Sequence, residues 1–575
     1  MSSTSTPATG GRSFVASLDS GRLRWDRVAP FPAEDPVQRR RADEIVERVG
    51  AFVEARIDPE EVDGTAALPD GFVEELRERG FLSLRQSAEI GGHDLSAYGA
   101  FRVVTRAVSW SAPVGQLLGV QNGVAPFELA RSLPAGAVRD LLEQRITERA
   151  IGGWADTELI GQNNSRPALT GYLTEDGSAY LLRGHKTFIG NGPLAELVAV
   201  TGLAATGEGE PRIAVFFADT RQPGLTVQAH EFVGAKGLPV GALTFDNLRV
   251  PREHVLLVGE ENPQAAPQTR AMGIVGRMYS TSGPALAIGR LCLQWSREFV
   301  SRRFIDGRNL GEYDLIQRIV ATSLADVFAT ESVLQWSLIG PGLADRWFEL
   351  VWSMNVSRAA NWRIVDQTVS LLGGEGIETA RSKRRRGAQP LPVERFFRDA
   401  RLIRTIGNVD FQVDNITGRQ YLARFYGPEA DRIGSAATGG EDTLAFAASA
   451  DLSPANLEHL GALGEETRRF AAATRQLVRR YPDPRELALH EQSLVLISRI
   501  ASELYTAAVT LARASHLASD DGGASQGLAD VYLTEARHRV EALWRRLAPA
   551  IAEPDHAKIS RDWLAGASFD QLLTH

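Results

Sequence analysis

Apolar and polar positions follow two different periods along this chain. In DPVQRRRADEIVERVGAFVEARI, the residues Ile45, Val46, Val49, Phe52 and Val53 fall near helical spacing and predict an amphipathic helix. Leu68-Pro69-Asp70 suits a second helix start, which Phe72, Val73, Leu76 and Phe81 continue towards a stop at Arg79-Gly80. Further helical segments are expected to about residue 148. The pattern then changes to short β-branched runs between turn residues. YLTEDGSAYLLRGHKTFIG reads as a hairpin around Asp176-Gly177, with LVAVTGLA, RIAVFFADT, GLTVQAHEF and ALTFDNLRV as strands. From about residue 268 the helical period returns, with long segments over 275–305, 313–340, 343–373 and 396–425.

These periods divide the chain into a flexible Ser/Thr/Gly-rich tail (1–34), an N-terminal helical domain (35–149) and a middle β domain (150–262). A helical-bundle domain (263–435) and, beyond the Gly- and Ala-rich stretch IGSAATGGEDT, an additional helical domain (436–575) complete it. No internal repeat of fixed period interrupts that order. With 575 residues the chain is long enough for several packed domains, and its 43% hydrophobic and 23% charged residues are those of an ordinary globular protein.

Charge narrows the partners. Lys plus Arg number 63 against 71 Asp plus Glu, a formal net charge of -8, so no global field draws the chain to nucleic acid or an anionic membrane. The one cationic run, Arg381 to Arg386, reads as a solvated loop, or as a docking patch for an acidic carrier protein or nucleotide phosphate. Cys292 is the only cysteine. That excludes an intrachain disulfide or a Cys-cluster metal site, and Cys292 itself reads as a small buried apolar residue. The first residues, MSSTSTPATGGRSF, lack a basic start followed by an apolar stretch, and no uninterrupted run of about 18 apolar residues occurs, so a soluble cytoplasmic protein is expected.

Several segments together resemble one family. ALPDGFVEELRERGFLSLRQSAEIGG, Ala155-Asp156-Thr157-Glu158-Leu159, LLRGHKTFIGNGPLAELVAV and LTFDNLRVPREHVLLVGEEN are followed by SRRFIDGRNLGEYDLIQRIVATSLADV, LLGGEGI and LPVERFFRDARL. In this order they resemble the acyl-CoA dehydrogenase/oxidase superfamily over roughly residues 35 to 425. The resemblance implies its fold, an FAD cofactor, an acyl-CoA or acyl-carrier-protein substrate and a homodimer or homotetramer. The helical block after 440 is similar to the extra domain of the very-long-chain class.

By this resemblance Thr157 would bond the flavin's pyrimidine edge, and Phe188 would form the flat wall behind the ring, where the family has Trp. Gly190 stands where the family commonly has a Thr near flavin N5. Arg302 or Arg303 would reach the pyrophosphate, Gln317 the adenine side, and Gly373-Gly374 would let backbone approach the cofactor. Asn163 and Arg277 fall at substrate positions, although the Gly-Ser-Asp expected after Thr-Glu is replaced by Gln162-Asn163-Asn164-Ser165.

Plain α,β-dehydrogenation needs a carboxylate to take the α proton while hydride leaves the β carbon. Counting from Arg398-Asp399-Ala400-Arg401, the family's glutamate position is Gly407; counting back from Gln412, it is Ile406. The family's alternative position, on an earlier helix, is Gly276. None of these residues accepts a proton. Asp410, Glu375 and Tyr279 remain as substitute bases. The expectation is a flavin-dependent enzyme on an acyl thioester that departs from the glutamate mechanism. A flavin-dependent monooxygenase and a non-catalytic acyl-binding scaffold are the alternatives.

Overall fold

The computed structural model describes residues 13–160, 166–207, 209–257, 267–340, 342–427, 429–430, 433, 450–548, 554–566 and 568–573. Order begins earlier than the pattern predicts. Instead of a flexible tail up to residue 34, short helices span Val15–Ser20 and Trp25–Val28, and Phe14, Leu18, Trp25 and Val28 are buried. Their apolar residues are sparse among polar ones, so the periodicity is weak. What holds them is distant in sequence: the buried carboxylate of Glu349 accepts from Ser13 Oγ (2.7 Å) and from the amides of Phe14 (2.5 Å) and Val15 (3.2 Å).

The first predicted helix spans Pro36–Arg56, and Asp35 caps it by accepting from the Val37 and Gln38 amides, both at 2.9 Å. Its inner face buries Ile45, Val49, Phe52 and Val53. The second spans Phe72–Glu78, and Gly80, in the left-handed region at φ 78°, ends the run. Helices Ala97–Trp110, Ala112–Gly119 and Ala137–Thr147 lead to the sheet.

An eight-stranded sheet follows: β1 Gly152–Ala155, β2 Thr170–Leu173, β3 Ala179–Gly190, β4 Leu197–Ala205, β5 Arg212–Asp219, β6 Leu225–Ala229, β7 Val240–Pro251 and β8 Val255–Leu257. They run in the order β6-β7-β3-β2-β4-β5-β8, with β1 parallel to β4. The predicted hairpin is β2–β3, antiparallel with Tyr172 opposite Leu181. Inward residues such as Leu182, Val200, Phe216 and Leu243 give the sheet a core of its own. The register of β3 against β7 slips between Lys186 and Ile189, a bulge that re-aims the residues it spans.

The bundle helices are Pro267–Arg302, Asp314–Leu338 and Trp347–Leu372. The continuous helix expected over 396–425 is instead two, Val393–Ile403 and Asp410–Ala423. Between them Gly407 (φ 65°) and Asn408 (φ 80°) both adopt the left-handed conformation, which Gly and Asn tolerate best and which ends a helix.

Helices Pro454–Arg480, Glu491–Leu517 and Ala524–Leu547, followed by the short His556–Leu564, complete the described fold. Glu491–Leu517 is long and apolar enough to cross a membrane, yet 83% of its most apolar window is buried inside the protein. Its Tyr505 lies 5.9 Å from the Phe14 ring, 5.6 Å from Trp336 and 6.0 Å from Trp352, and its hydroxyl is 3.1 Å from Ser353 Oγ. The C-terminal helices therefore share one continuous core with the bundle and the N-terminal segment. The architecture is helical, with a β insert and extra C-terminal helices.

Candidate functional site

The β3 bulge presents Phe188. Its backbone is left-handed (φ 57°), rare for an aromatic residue, and its side chain is 59% exposed rather than packed in the strand's core. His230 and Phe232 flank it, with ring centroids at 5.5 and 6.3 Å, and His230 Nε2 is 3.1 Å from Thr187 Oγ1. Neither flanking ring stands out in the sequence, although both occupy alternating positions just after β6.

Beneath this aromatic surface the Thr-Glu element is pinned by a buried ion pair. Lys186, wholly buried, donates to Glu158 (2.8 Å) and to the Asp156 carbonyl (3.0 Å). Glu158 also accepts from the Ala168 and Leu169 amides at 2.7 and 2.9 Å. Burial works to raise its pKa, and Lys186 with these two amides more than offsets that, holding the carboxyl below its usual range. Thr157 is fixed through its backbone, its carbonyl accepting from Thr187 N at 2.9 Å, while its hydroxyl makes no hydrogen bond among the described residues. Gly190 has a steric reason for its identity: a Cβ there would lie 3.0 Å from Val120 Cγ2.

A second group lies on the bundle. Arg302 pairs with Glu298 and Glu375, both at 2.7 Å, so Glu375 is an ion-pair partner rather than a free base. Arg303 is exposed and its guanidinium has no partner among the described residues. Gln317 donates to the Gly311 carbonyl at 3.0 Å. Around Gly373 (φ 57°) and Gly374 no atom comes within 4 Å of where a Cβ would sit, leaving the backbone open. The Arg302–Glu375 pair joins the arginine and Gly-Gly elements, whereas Thr157 and Phe188 belong to the β domain. Asn163 falls outside the described residues.

The third group surrounds the expected base. A Cβ on Gly407 would be 3.9 Å from both Arg277 Cγ and Thr281 Cγ2 with nothing nearer, so the position has room. Gly276 has none: its Cβ would be 2.0 Å from the Gly123 carbonyl oxygen. The substitute bases are corrected here. Tyr279 is fully buried, donates to the Ala97 carbonyl at 2.9 Å, and burial pushes its hydroxyl up to about 12. Asp410 accepts from Arg404 and from the Phe411 amide (2.9 Å); burial acts to raise its pKa, but these partners leave it below its usual value. Sequence reasoning misses Arg358, which is fully buried and donates to the carbonyls of Ile406 (3.2 Å) and Asn408 (2.8 Å) on either side of Gly407.

The cationic run is a helix, Ala380–Arg385, rather than a loop. Lys383 is buried against the Leu391 carbonyl, Arg384 pairs with Glu60 and Arg386 with Glu378. Cys292 is buried, as expected.

Models of the acyl-CoA dehydrogenase N-terminal and middle domains match residues 40–131 and 155–248. Acyl-CoA dehydrogenases are therefore what this chain is similar to. The probable acyl-CoA dehydrogenase FadE10 of Mycobacterium tuberculosis is 26% identical over 567 residues, 93% of this chain and 86% of that protein. The very long-chain specific acyl-CoA dehydrogenase of Macaca fascicularis is 24% identical over 564 residues, 92% of this chain and 83% of its own. In fold the chain is similar to an acyl-CoA dehydrogenase from Bacillus anthracis solved with FAD, with a TM-score of 0.75 and 17% identity, covering 97% of this chain and 95% of that one.

Proposed function

We propose that the chain is a cytoplasmic, homo-oligomeric, flavin-dependent oxidoreductase of acyl thioesters, whose reaction proceeds without a glutamate at either family position. The observation that carries this reading is Phe188. A left-handed aromatic residue costs about 1–2 kcal/mol, and a ring left 59% exposed at a bulge recovers little of it by burial. A flat ligand stacked on the Phe188 surface accounts for it.

The residues present fit FAD. The Thr157 hydroxyl is free to bond the ring edge, Gly373 and Gly374 leave space where a Cβ would intrude, and Arg303 is the unpaired guanidinium for a phosphate, since Arg302 is already held by two carboxylates. When bound, the flavin supplies the acceptor for an electron pair from the substrate. The chain's own part is positioning: Lys186 and Glu158 fix the Thr157 strand end, and Arg358 holds open the turn at Gly407. With the phosphate-side group exposed on the bundle and the ring-side group on the sheet, a site completed by a second subunit is the arrangement that uses both. Gly407 and Gly276 supply no acceptor for an α proton, so the substrate's proton must be acidic enough to leave to solvent, or the chemistry must avoid its removal.

Flavin retention tests the reading. F188A should lose FAD on gel filtration while the unfolding temperature of the flavin-free protein is unchanged, because exposed substitutions shift stability by only about 0.5 kcal/mol. F188W should retain it. Undiminished binding by F188A would remove the basis of the proposal.

A further inference from the structure

The segment that carries His230 and Phe232 is anchored on the helical body rather than within its own sheet. It runs over 230–239, between β6 and β7, and its apolar residues Phe232, Ala235 and Leu238 pack with the core that the helices share, not with that of the sheet. It also sets the two rings against Phe188, with centroids 5.5 Å away for His230 and 6.3 Å for Phe232.

Two consecutive residues of the helix Val393–Ile403 supply the anchor. Arg398 donates to the Val233 carbonyl at 2.9 Å and pairs with both oxygens of Asp63, on the helix Pro59–Thr65, at 2.9 and 2.8 Å. Asp399, only 3% exposed, accepts from the Ala235 amide at 2.5 Å. The backbones meet closely: a Cβ on Gly234 would lie 2.5 Å from the Arg398 carbonyl oxygen, and one on Gly237 would lie 2.8 Å from Val62 Cγ1. Ala235 itself is left-handed (φ 47°), a conformation that its own Cβ opposes and that needs support from outside the segment. The Asp399 carboxylate gives that support, because a buried amide is costly to leave without an acceptor.

We propose that Asp399, with Arg398 beside it, is a positioning residue for the flavin wall: it locks Ala235, and so holds Phe232 and His230 against Phe188. This rests on the reading of Phe188 as the stacking surface. Asp399 acts through the segment and not on the cofactor. A ring as exposed as Phe188 owes its orientation to the rings beside it, and aromatic pairs at these separations favour a defined tilt. Without the anchor the segment relaxes out of its left-handed turn, and the stacking face loses its brace.

The test is FAD binding to the full-length protein, followed by flavin fluorescence, which stacking on an aromatic ring quenches. D399A should weaken FAD about tenfold and leave the bound flavin brighter, as expected when a flanking ring no longer supports the stack. D399N, which keeps the acceptor, should match the wild-type protein on both counts. In an F232A background D399A should add nothing further, because both changes remove the same brace. Unchanged FAD affinity in D399A, a loss in D399N equal to that in D399A, or losses that multiply when D399A and F232A are combined would each overturn the inference. Should D399A fail to fold, R398M, which cuts the bond to the Val233 carbonyl and leaves the buried carboxylate in place, carries the same comparison with F232A. If F188A keeps FAD, the stacking reading fails and this inference with it; if F188A releases FAD while D399A and R398M hold it, the inference alone falls.

Discussion

Gly276 and Gly123 touch backbone to backbone: a Cβ on Gly276 would lie 2.0 Å from the Gly123 carbonyl oxygen and 3.0 Å from its Cα. Glycine at 276 is therefore a packing requirement between two helical segments, and a base at this alternative position is sterically excluded. G276A should cost at least about 3 kcal/mol, since backbone on both sides leaves no side chain to yield. G407A should cost only the left-handed penalty, about 1–2 kcal/mol. Equilibrium urea unfolding of the two variants compares them directly, and a milder loss for G276A would contradict the crossing.

The Lys186–Glu158 pair makes a sharper demand than its surface counterparts, because both partners are buried. Removing one charge leaves the other unpaired in the interior. K186M should destabilise by about 3–5 kcal/mol, well beyond the effect of R24A at the exposed Arg24–Asp26 pair, worth about 1 kcal/mol or less. Chemical denaturation of the two variants gives both values.

The contribution of Asp399 to stability should fall as pH rises between about 4 and 6. Asp399 is buried against the Ala235 amide (2.5 Å), and burial pushes its carboxyl up from 3.8 to about 6 despite that bond and the charges of Arg395 and Arg398. The folded state therefore holds the proton more tightly than the unfolded chain. Stabilisation from the protonated form is complete below the unfolded value and lost as pH passes the folded value, a change of about 3 kcal/mol. D399N keeps an acceptor for the amide and should remove this component. A wild-type minus D399N difference in unfolding temperature that is flat across the window would exclude it.

The N-terminal segment behaves as part of the core. Deleting residues 1–20 should strip Glu349 of three donors and expose the sites of Phe14 and Leu18, each worth about 1.5–3 kcal/mol of burial. Thermal unfolding of the truncated chain should show a loss of several degrees or failure to fold.

Why some of this is legible in sequence and some is not follows from range. The β segments announce themselves because neighbours such as Leu182 and Arg183 alternate between core and solvent, and the Asp35-Pro36 helix start is written in adjacent residues. The Gly407–Asn408 break escapes a periodicity reading because apolar spacing continues on both sides of it. Its reason lies partly in Arg358, about 50 residues earlier. The packing of Phe14 depends on Glu349, 335 residues away. At the proposed site, Phe188, Gly407 and Arg277 are candidates that the resemblance alone suggests. The exposure of the ring, the ion pairing of Asp410 and Glu375, and the burial of Tyr279 are tertiary facts.

The central claim is that this chain works on a thioester without a glutamate base, and one anaerobic titration tests it most directly: butyryl-CoA added to flavin-loaded wild-type protein and to G407E, followed by visible absorbance. The account predicts that the wild-type flavin spectrum shifts on binding without bleaching, and that G407E, with a carboxylate restored beside Arg277, bleaches. Bleaching of the wild-type protein as fast as that of G407E would contradict the account, because another residue would then be serving as the base.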